Sequence, residues 1–260
     1  MQPVRTLRVV VAGALTVGIV GGCSGTPEPQ PTPTPTVEPT VTASPEPEPE
    51  PTPDPWISMI ATAGSDSIEV FAAPGDTEPH RTVTAAEAVS LPERIPMTFL
   101  VDEQREGWVE VYLPVRPNGS SGWVRAEDVT LATTDFRVEV RLDEHRLLLY
   151  RADEVVLDVP VGVGREEVPT PGGIYYIKEL LQPPEPGGVY GAYAYGLSGF
   201  SPVLESFAGG QGVIGIHGTN EPELVGTDVS HGCIRLVDAD ITRMVEEFGL
   251  PLGTPVEILA

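Results

Sequence analysis

Apolar and polar residues begin to alternate only beyond Trp56, and from there the pattern is one of short strands. Trp108-Val109-Glu110-Val111-Tyr112 has a period of two, as a strand with one buried face requires. Ser67–Phe71, Thr98–Val101 and Gly122–Val124 are further short β-like runs, separated by turn residues at Ala73-Pro74-Gly75-Asp76 and Pro117-Asn118-Gly119. A second series follows. Phe136–Leu142 alternates, Asp143-Glu144-His145 turns, and Arg146–Tyr150 returns; Glu154–Val161, Gly173–Lys178 and Pro255–Leu259 read as further strands. One helix is predicted, with Asp240 as its cap, Ile241, Val245 and Phe248 on one face, and Gly249 as its stop. Residues 179–212, punctuated by Pro183-Pro184, Gly187-Gly188 and Gly209-Gly210, read as a long loop region capping a cleft.

The fold class is therefore mainly β, in two folded units, residues 56–133 and residues 134–260. In the first, Gly107-Trp108-Val109 and Gly122-Trp123-Val124 are similar to motifs of bacterial SH3-like β-barrels. Trp108 and Trp123 are read as packing residues ahead of wall-binding ones. Upstream, residues 1–22 have the form of a lipoprotein signal peptide: Arg5 and Arg8, an apolar run from Val9 to Val20, then small residues before Cys23. That run is shorter than the ~20 residues of a spanning helix. The position of Cys23 resembles a bacterial lipobox, which implies lipidation of Cys23. Residues 23–55 would then be a lipid anchor and a disordered Pro/Glu/Thr-rich tether, since residues 26–55 hold 12 prolines, six acidic residues and no Lys or Arg. The expected location is extracytoplasmic, with the chain lipid-anchored to a bacterial envelope and facing the cell wall.

Charge removes one class of partner. With 15 Lys+Arg against 38 Asp+Glu the net charge is −23, which opposes nucleic acid, whose phosphates need Lys and Arg, and opposes docking of the folded part on anionic lipid. Cysteine usage adds another constraint. The two cysteines lie 210 positions apart, so a lipidated Cys23 leaves Cys233 a free thiol in an oxidising compartment, and a free thiol there points to a functional use.

The candidate chemistry sits around that thiol. Gly215-Ile216-His217-Gly218-Thr219-Asn220 and Ser230-His231-Gly232-Cys233-Ile234-Arg235 gather two of the four histidines with Cys233. A thiol has a pKa of about 8.5 and is only a few per cent thiolate at pH 7, so a nearby imidazole is expected to raise that fraction. Amides around His231, Gly232 and Cys233 could hold an oxyanion, with Gly232 permitting close backbone approach. Ser230 is read as a turn-stabilising hydroxyl, and His231 as a group that tunes the thiol or shapes the site. Arg235 either binds a substrate carboxylate or holds a loop carbonyl. The pattern suggests cysteine-based acyl transfer.

Thr170-Pro171-Gly172-Gly173, Tyr190-Gly191-Ala192-Tyr193, Ile216–Asn220 and Ser230–Leu236, in this order and with 12 residues between His217 and Ser230, resemble the L,D-transpeptidase (YkuD-type) catalytic domain. The resemblance runs from about Phe136 to Leu259. It implies a β-sandwich-like catalytic domain with one short helix, preceded here by the small SH3-like barrel. It also implies peptidoglycan stem peptides as acyl donor and acceptor, joined by 3→3 cross-links, with no cofactor and no metal. By the same resemblance Cys233 is the nucleophile and His217 the general base, supported by Ser230, His231, Gly232 and Arg235. Tyr190, Tyr193 and Thr219 are assigned to the substrate cleft, and carbapenems are expected to acylate Cys233 where most penicillins do so poorly. Water as acceptor would make the chain an L,D-carboxypeptidase. Two rival readings are a zinc site formed by His217, His231 and Cys233, and a non-catalytic wall-binding lipoprotein.

Overall fold

The computed structural model describes residues 54–185, 187–206 and 210–260. The expected signal peptide, Cys23 and almost all of the expected tether lie outside the described residues. Among these residues no helix is long and apolar enough to cross a membrane.

The first strands are β1 (Ser58–Ala63), β2 (Ser67–Val70) and β3 (Arg81–Thr84), followed by the four-residue helix α1 (Ala85–Ala88). Then come β4 (Thr98–Arg105), β5 (Trp108–Tyr112), β6 (Ser121–Arg125) and β7 (Val129–Thr134). Five of them form an antiparallel sheet in the order β6-β5-β4-β1-β7, and β2 pairs with β3. The alternation read in Trp108–Tyr112 holds: Val109 and Val111 are buried, and Trp108, Glu110 and Tyr112 are only partly so. Both tryptophans have packing partners. Trp108 meets Phe71 edge-on at 5.1 Å and Arg105 lies over the Trp123 ring at 4.8 Å.

The second series comprises β8 (Phe136–Arg141), β9 (Arg146–Arg151), β10 (Glu154–Pro160), the short β11 (Val163–Gly164), β12 (Gly173–Leu181) and β13 (Ala194–Phe200). After these come β14 (Val213–His217), β15 (Asp228–Ser230), β16 (Ile234–Arg235), the helix α2 (Asp238–Thr242) and β17 (Pro255–Leu259). Eight of these strands form one sheet in the order β10-β9-β8-β17-β12-β13-β14-β16. The β8–β17 and β14–β16 pairs are parallel.

Two expectations need correction. Ala194–Phe200 was expected within a loop region but is an inner strand; its run Ala-Tyr-Gly-Leu-Ser-Gly-Phe mixes small and large residues, because glycine is what the neighbours of β13 admit. A Cβ on Gly196 would come within 2.5 Å of the Glu179 side chain. The helix also starts two residues before the expected cap: Val237 is its N-cap, and Asp240 lies within the first turn. It continues through π-helical turns at Arg243–Phe248 and ends, as expected, at Gly249 with φ 62°.

The described residues form one compact unit with two hydrophobic cores. Strand β12 supplies both. Tyr175 and Ile177 enter the core of the larger sheet, whereas Tyr176, fully buried, enters the core of the N-terminal sheet. Register shifts between Ile177 and Glu179, and a bulge of this kind re-aims side chains. Lys178 and Glu179 meet the end of α1 and the residues just after it: Lys178 Nζ donates to Ala88 O at 2.6 Å and to Glu179 Oε1 at 2.9 Å. Glu179 in turn accepts from the Ser90 amide at 2.7 Å and from the Ser90 hydroxyl at 3.0 Å.

This ion pair has side-chain exposures of 4% and 2%, so removing one partner would strand the other charge in the interior. Glu179→Ala is expected to cost ~3–5 kcal/mol of unfolding free energy. Glu247→Ala, which breaks the exposed Arg243–Glu247 pair, should cost no more than ~0.5 kcal/mol. Urea unfolding of the two variants checks this, and equal small losses would contradict it.

Candidate active site

Parallel pairing of β14 with β16 sets Ile216 beside Ile234 and His217 beside Arg235. The cysteine preceding β16 is thereby carried to the strand that ends in the histidine. A cavity of about 180 Å³ opens there. His217, Ser230, His231, Cys233 and Arg235 line it from the motif segments, with Val189 and Tyr190 from the loop before β13. Ser201, Leu204, Gly212, Val213 and Ile214 complete the wall.

His217 is buried, and its Nδ1 lies 2.5 Å from Gly218 O. A carbonyl only accepts, so Nδ1 carries the proton and Nε2 is left as the basic nitrogen. The ring of Tyr190 packs edge-on to the imidazole at 5.0 Å. Burial pushes the Tyr190 hydroxyl pKa up, and the neighbouring Cys233 adds to that rise.

The turn carrying the thiol is tied by one hydroxyl. Ser230 Oγ donates to Cys233 O at 2.6 Å and accepts from the Gly232 amide at 3.0 Å. Ser230 thus has the turn-stabilising place read from the sequence, and Gly232 adopts φ 108°, a backbone suited to glycine. The Gly232 amide is thereby engaged by Ser230. His231 Nε2 accepts from Arg165 Nη2 at 2.8 Å, since a guanidinium only donates. Arg235 Nη1 donates to Glu221 Oε2 at 3.0 Å, so part of this guanidinium is occupied within the chain.

Tyr190 is among the residues lining the cavity, whereas Tyr193 and Thr219 are not. Tyr193 packs its ring against the core and donates its hydroxyl to Glu246 at 2.8 Å. Thr219 is buried and accepts the Glu221 amide at 3.1 Å. Thr170 forms a turn contact, accepting the Gly164 amide at 2.8 Å. Among the described residues no group of three or more His, Cys, Asp or Glu side chains is placed to hold a metal ion.

One contributor was not apparent in the sequence. Asp238 Oδ1 accepts from the Ala192 amide at 3.3 Å and lies where a Cβ on Gly191 or Gly218 would have to go, at 2.0 and 2.1 Å. The two glycines let the Tyr190 loop, the carbonyl that orients His217, and this carboxylate come together. Only the Asp at the start of α2 and the glycine in each motif could have hinted at this, and neither spacing signals a contact across 46 residues.

Electrostatics at the site oppose the raised thiolate fraction expected of a nearby imidazole. Burial lowers the His217 pKa to about 4; the Gly218 hydrogen bond opposes this and Arg235 reinforces it. Burial raises the Cys233 pKa, while a backbone hydrogen bond from Gly215 and the Arg235 charge pull it partly back. Both net shifts favour neutral thiol beside neutral imidazole.

The described residues thus form a mainly β fold with a cleft lined by Cys233 and His217. Residues 135–258 match the family of the L,D-transpeptidase catalytic domain, YkuD. The YkuD protein of Bacillus licheniformis, named for L,D-transpeptidase activity, is 36% identical over 126 residues, 48% of this chain and 67% of that protein. Its Bacillus subtilis counterpart is 32% identical over the same shares. Among solved structures, a Bdellovibrio bacteriovorus protein is 26% identical with a TM-score of 0.38, covering 48% of this chain and 47% of that one. A cysteine-to-serine mutant of the Enterococcus faecium L,D-transpeptidase is 20% identical with a TM-score of 0.36, covering 48% and 49%. This chain thus spans about half the length of those two solved chains. The chain belongs to the YkuD-type L,D-transpeptidase family.

The pKa shifts give a pH signature. His217 in the folded chain binds its proton only near pH 4 against 6.5 in the unfolded chain. The stability this contributes is full above 6.5 and is lost as pH falls towards 4. Cys233 contributes stability below the ordinary thiol value of 9.0, lost as pH rises through its raised folded value. Alkylation of Cys233 by iodoacetamide, followed by peptide mass, should therefore climb with pH to a midpoint above 9.0. A rate already maximal near neutral pH would contradict a neutral resting pair.

Proposed function

We propose that the chain is a peptidoglycan L,D-transpeptidase that forms 3→3 cross-links through a thioester on Cys233, with His217 as general base. The observation that supports this most is the shared cavity of Cys233 and His217, with the His217 proton fixed on Nδ1 by Gly218 O. In this reading His217 Nε2 takes the thiol proton as Sγ attacks the carbonyl of the third stem residue. Proton transfer during attack suits a pair that rests neutral. Because the Gly232 amide is engaged, the oxyanion falls to the neighbouring backbone, the Cys233 amide foremost; one such donor is worth ~2.7–4 kcal/mol of barrier.

As the tetrahedral intermediate collapses, the C–N bond breaks, His217 returns its proton to the departing D-alanine amine, and the thioester remains. A side-chain amine of a second stem then attacks the thioester carbonyl. His217 accepts a proton from that amine, the C–S bond breaks, and His217 passes the proton to the departing Sγ, which restores the Cys233 thiol and the neutral imidazole. Arg235 acts on the sequence in two directions, since its charge favours the thiolate and disfavours the imidazolium that forms as His217 takes the proton.

The same proposal places the protein outside the cytoplasm. Cys23 would carry lipid, residues 26–55 would act as a tether of at most ~90 Å in polyproline II form, and residues 56–133 would be an SH3-like barrel held at the wall. Carbapenems would acylate Cys233.

The test is mass spectrometry of a disaccharide-tetrapeptide incubated with the full chain and with Cys233→Ala. The expected product is a dimer lighter than two monomers by one free alanine, absent with the variant. Trimmed tripeptide alone would replace cross-linking with L,D-carboxypeptidase activity. No product from either protein would count against catalysis.

A further inference from the structure

Part of the cleft wall is held by the N-terminal sheet's own turn. Arg116 precedes the Pro117-Asn118-Gly119 turn between β5 and β6, more than 80 positions from the residues it touches. Its Nη1 donates to Ser201 O at 2.9 Å, and its Nη2 donates to Leu204 O at 2.9 Å and Gln211 O at 3.1 Å. The guanidinium also lies over the Phe200 ring at 4.8 Å. Two residues on, Asn118 bonds the Phe200 backbone on both sides, accepting its amide at 2.9 Å and donating to its carbonyl at 2.8 Å. A planar fork suits three carbonyls fixed in one region, whereas a single ammonium point charge does not.

The segment so gripped is the one that lines the catalytic cavity. Ser201, Leu204 and Gly212 share that cavity with Cys233 and His217. The Ser201 amide donates to Gly212 O at 2.8 Å. Gly212 has φ 68°, and a Cβ there would fall 2.2 Å from Leu204 O and 3.2 Å from Arg116 Nη2. The two ends of the wall thus meet at a point that admits only glycine, with Arg116 bridging them. None of these bonds involves β14 or β16, which carry the histidine and follow the cysteine.

We propose that Arg116 is a positioning residue for the cleft: from the N-terminal sheet it fixes the wall segment Ser201–Leu204 against Gln211–Gly212 and so sets the space the donor peptide enters. The proposal rests on reading this cleft as a stem-peptide site. It makes the N-terminal sheet part of substrate recognition without contact to the reacting atoms.

The test uses the full chain with Arg116→Ala and Arg116→Lys, and three readouts: amide hydrogen exchange of residues 200–206 and 210–214, kcat and KM on the disaccharide-tetrapeptide, and alkylation of Cys233 by iodoacetamide. Exchange of the wall should rise in Arg116→Ala, and kcat/KM should fall by ~10- to 100-fold, as displacement of a positioned group causes. The loss should lie mainly in KM, and alkylation should stay as in the parent. Arg116→Lys should show most of the same loss, and it keeps the test available if the alanine variant does not fold. Unchanged exchange and turnover in a folded Arg116→Ala would overturn the proposal. So would a fall in alkylation that parallels turnover, because the effect would then lie on the thiol centre. If the parent itself does not process the stem, the functional reading fails, and exchange alone decides whether Arg116 holds the wall.

Discussion

Strand β12 is buried from both sides, and most of the structure depends on that. A strand covered on one face needs apolar residues only at alternate positions. Here Tyr175 to Glu179 are buried without interruption, so each face must find a partner. Tyr175 and Ile177 find it in the larger sheet, and Tyr176 in the N-terminal one. The polar pair that follows is tolerated because every charge has a partner: Lys178 reaches Ala88 O and Glu179, and Glu179 accepts twice from Ser90. An interior charge without partners costs several kcal/mol. The N-terminal sheet is thus fixed to the strand next to β13, whose continuation forms the cleft wall.

The cleft applies the same constraint to chemistry. Burial keeps His217 unprotonated and Cys233 protonated, so the site avoids an ion pair at rest. A neutral thiol is also less exposed to oxidation than a thiolate. The site carries its directionality in hydrogen bonds instead. Gly218 O fixes the imidazole tautomer, Ser230 closes the turn around Cys233, and Asp238 pins the Tyr190 loop where Gly191 and Gly218 leave room.

Local signals were legible in the sequence. Period-two runs located β5 and β8 almost to the residue, since half-buried strands record their environment in side-chain alternation, and the return after the Asp143–His145 turn and the closing apolar run located β9 and β17. Cys233, His217, Ser230 and Tyr190 could be picked out because their motif segments are contiguous. What could not be read was anything carried by backbone atoms or distant partners. Strand β13 was hidden because Gly196 and Gly199 are dictated by Glu179 and Tyr175 pressing on them. Tyr193 and Thr219 belong to the motif segments but direct their hydroxyl groups to Glu246 and the Glu221 amide. Asp238 and Arg116 act on backbone amides and carbonyls far along the chain, and no periodicity marks such bonds.

The most direct measurement of the central claim is the intact mass of the full chain, quenched rapidly after mixing with a tetrapeptide stem whose side-chain amine is blocked by acetylation. With no acceptor amine present, the account expects an adduct of the tetrapeptide less one alanine, located on Cys233, released by hydroxylamine, absent in Cys233→Ala and slower to form in His217→Ala. A parent chain that forms no adduct, or forms it at a residue other than Cys233, would contradict the account.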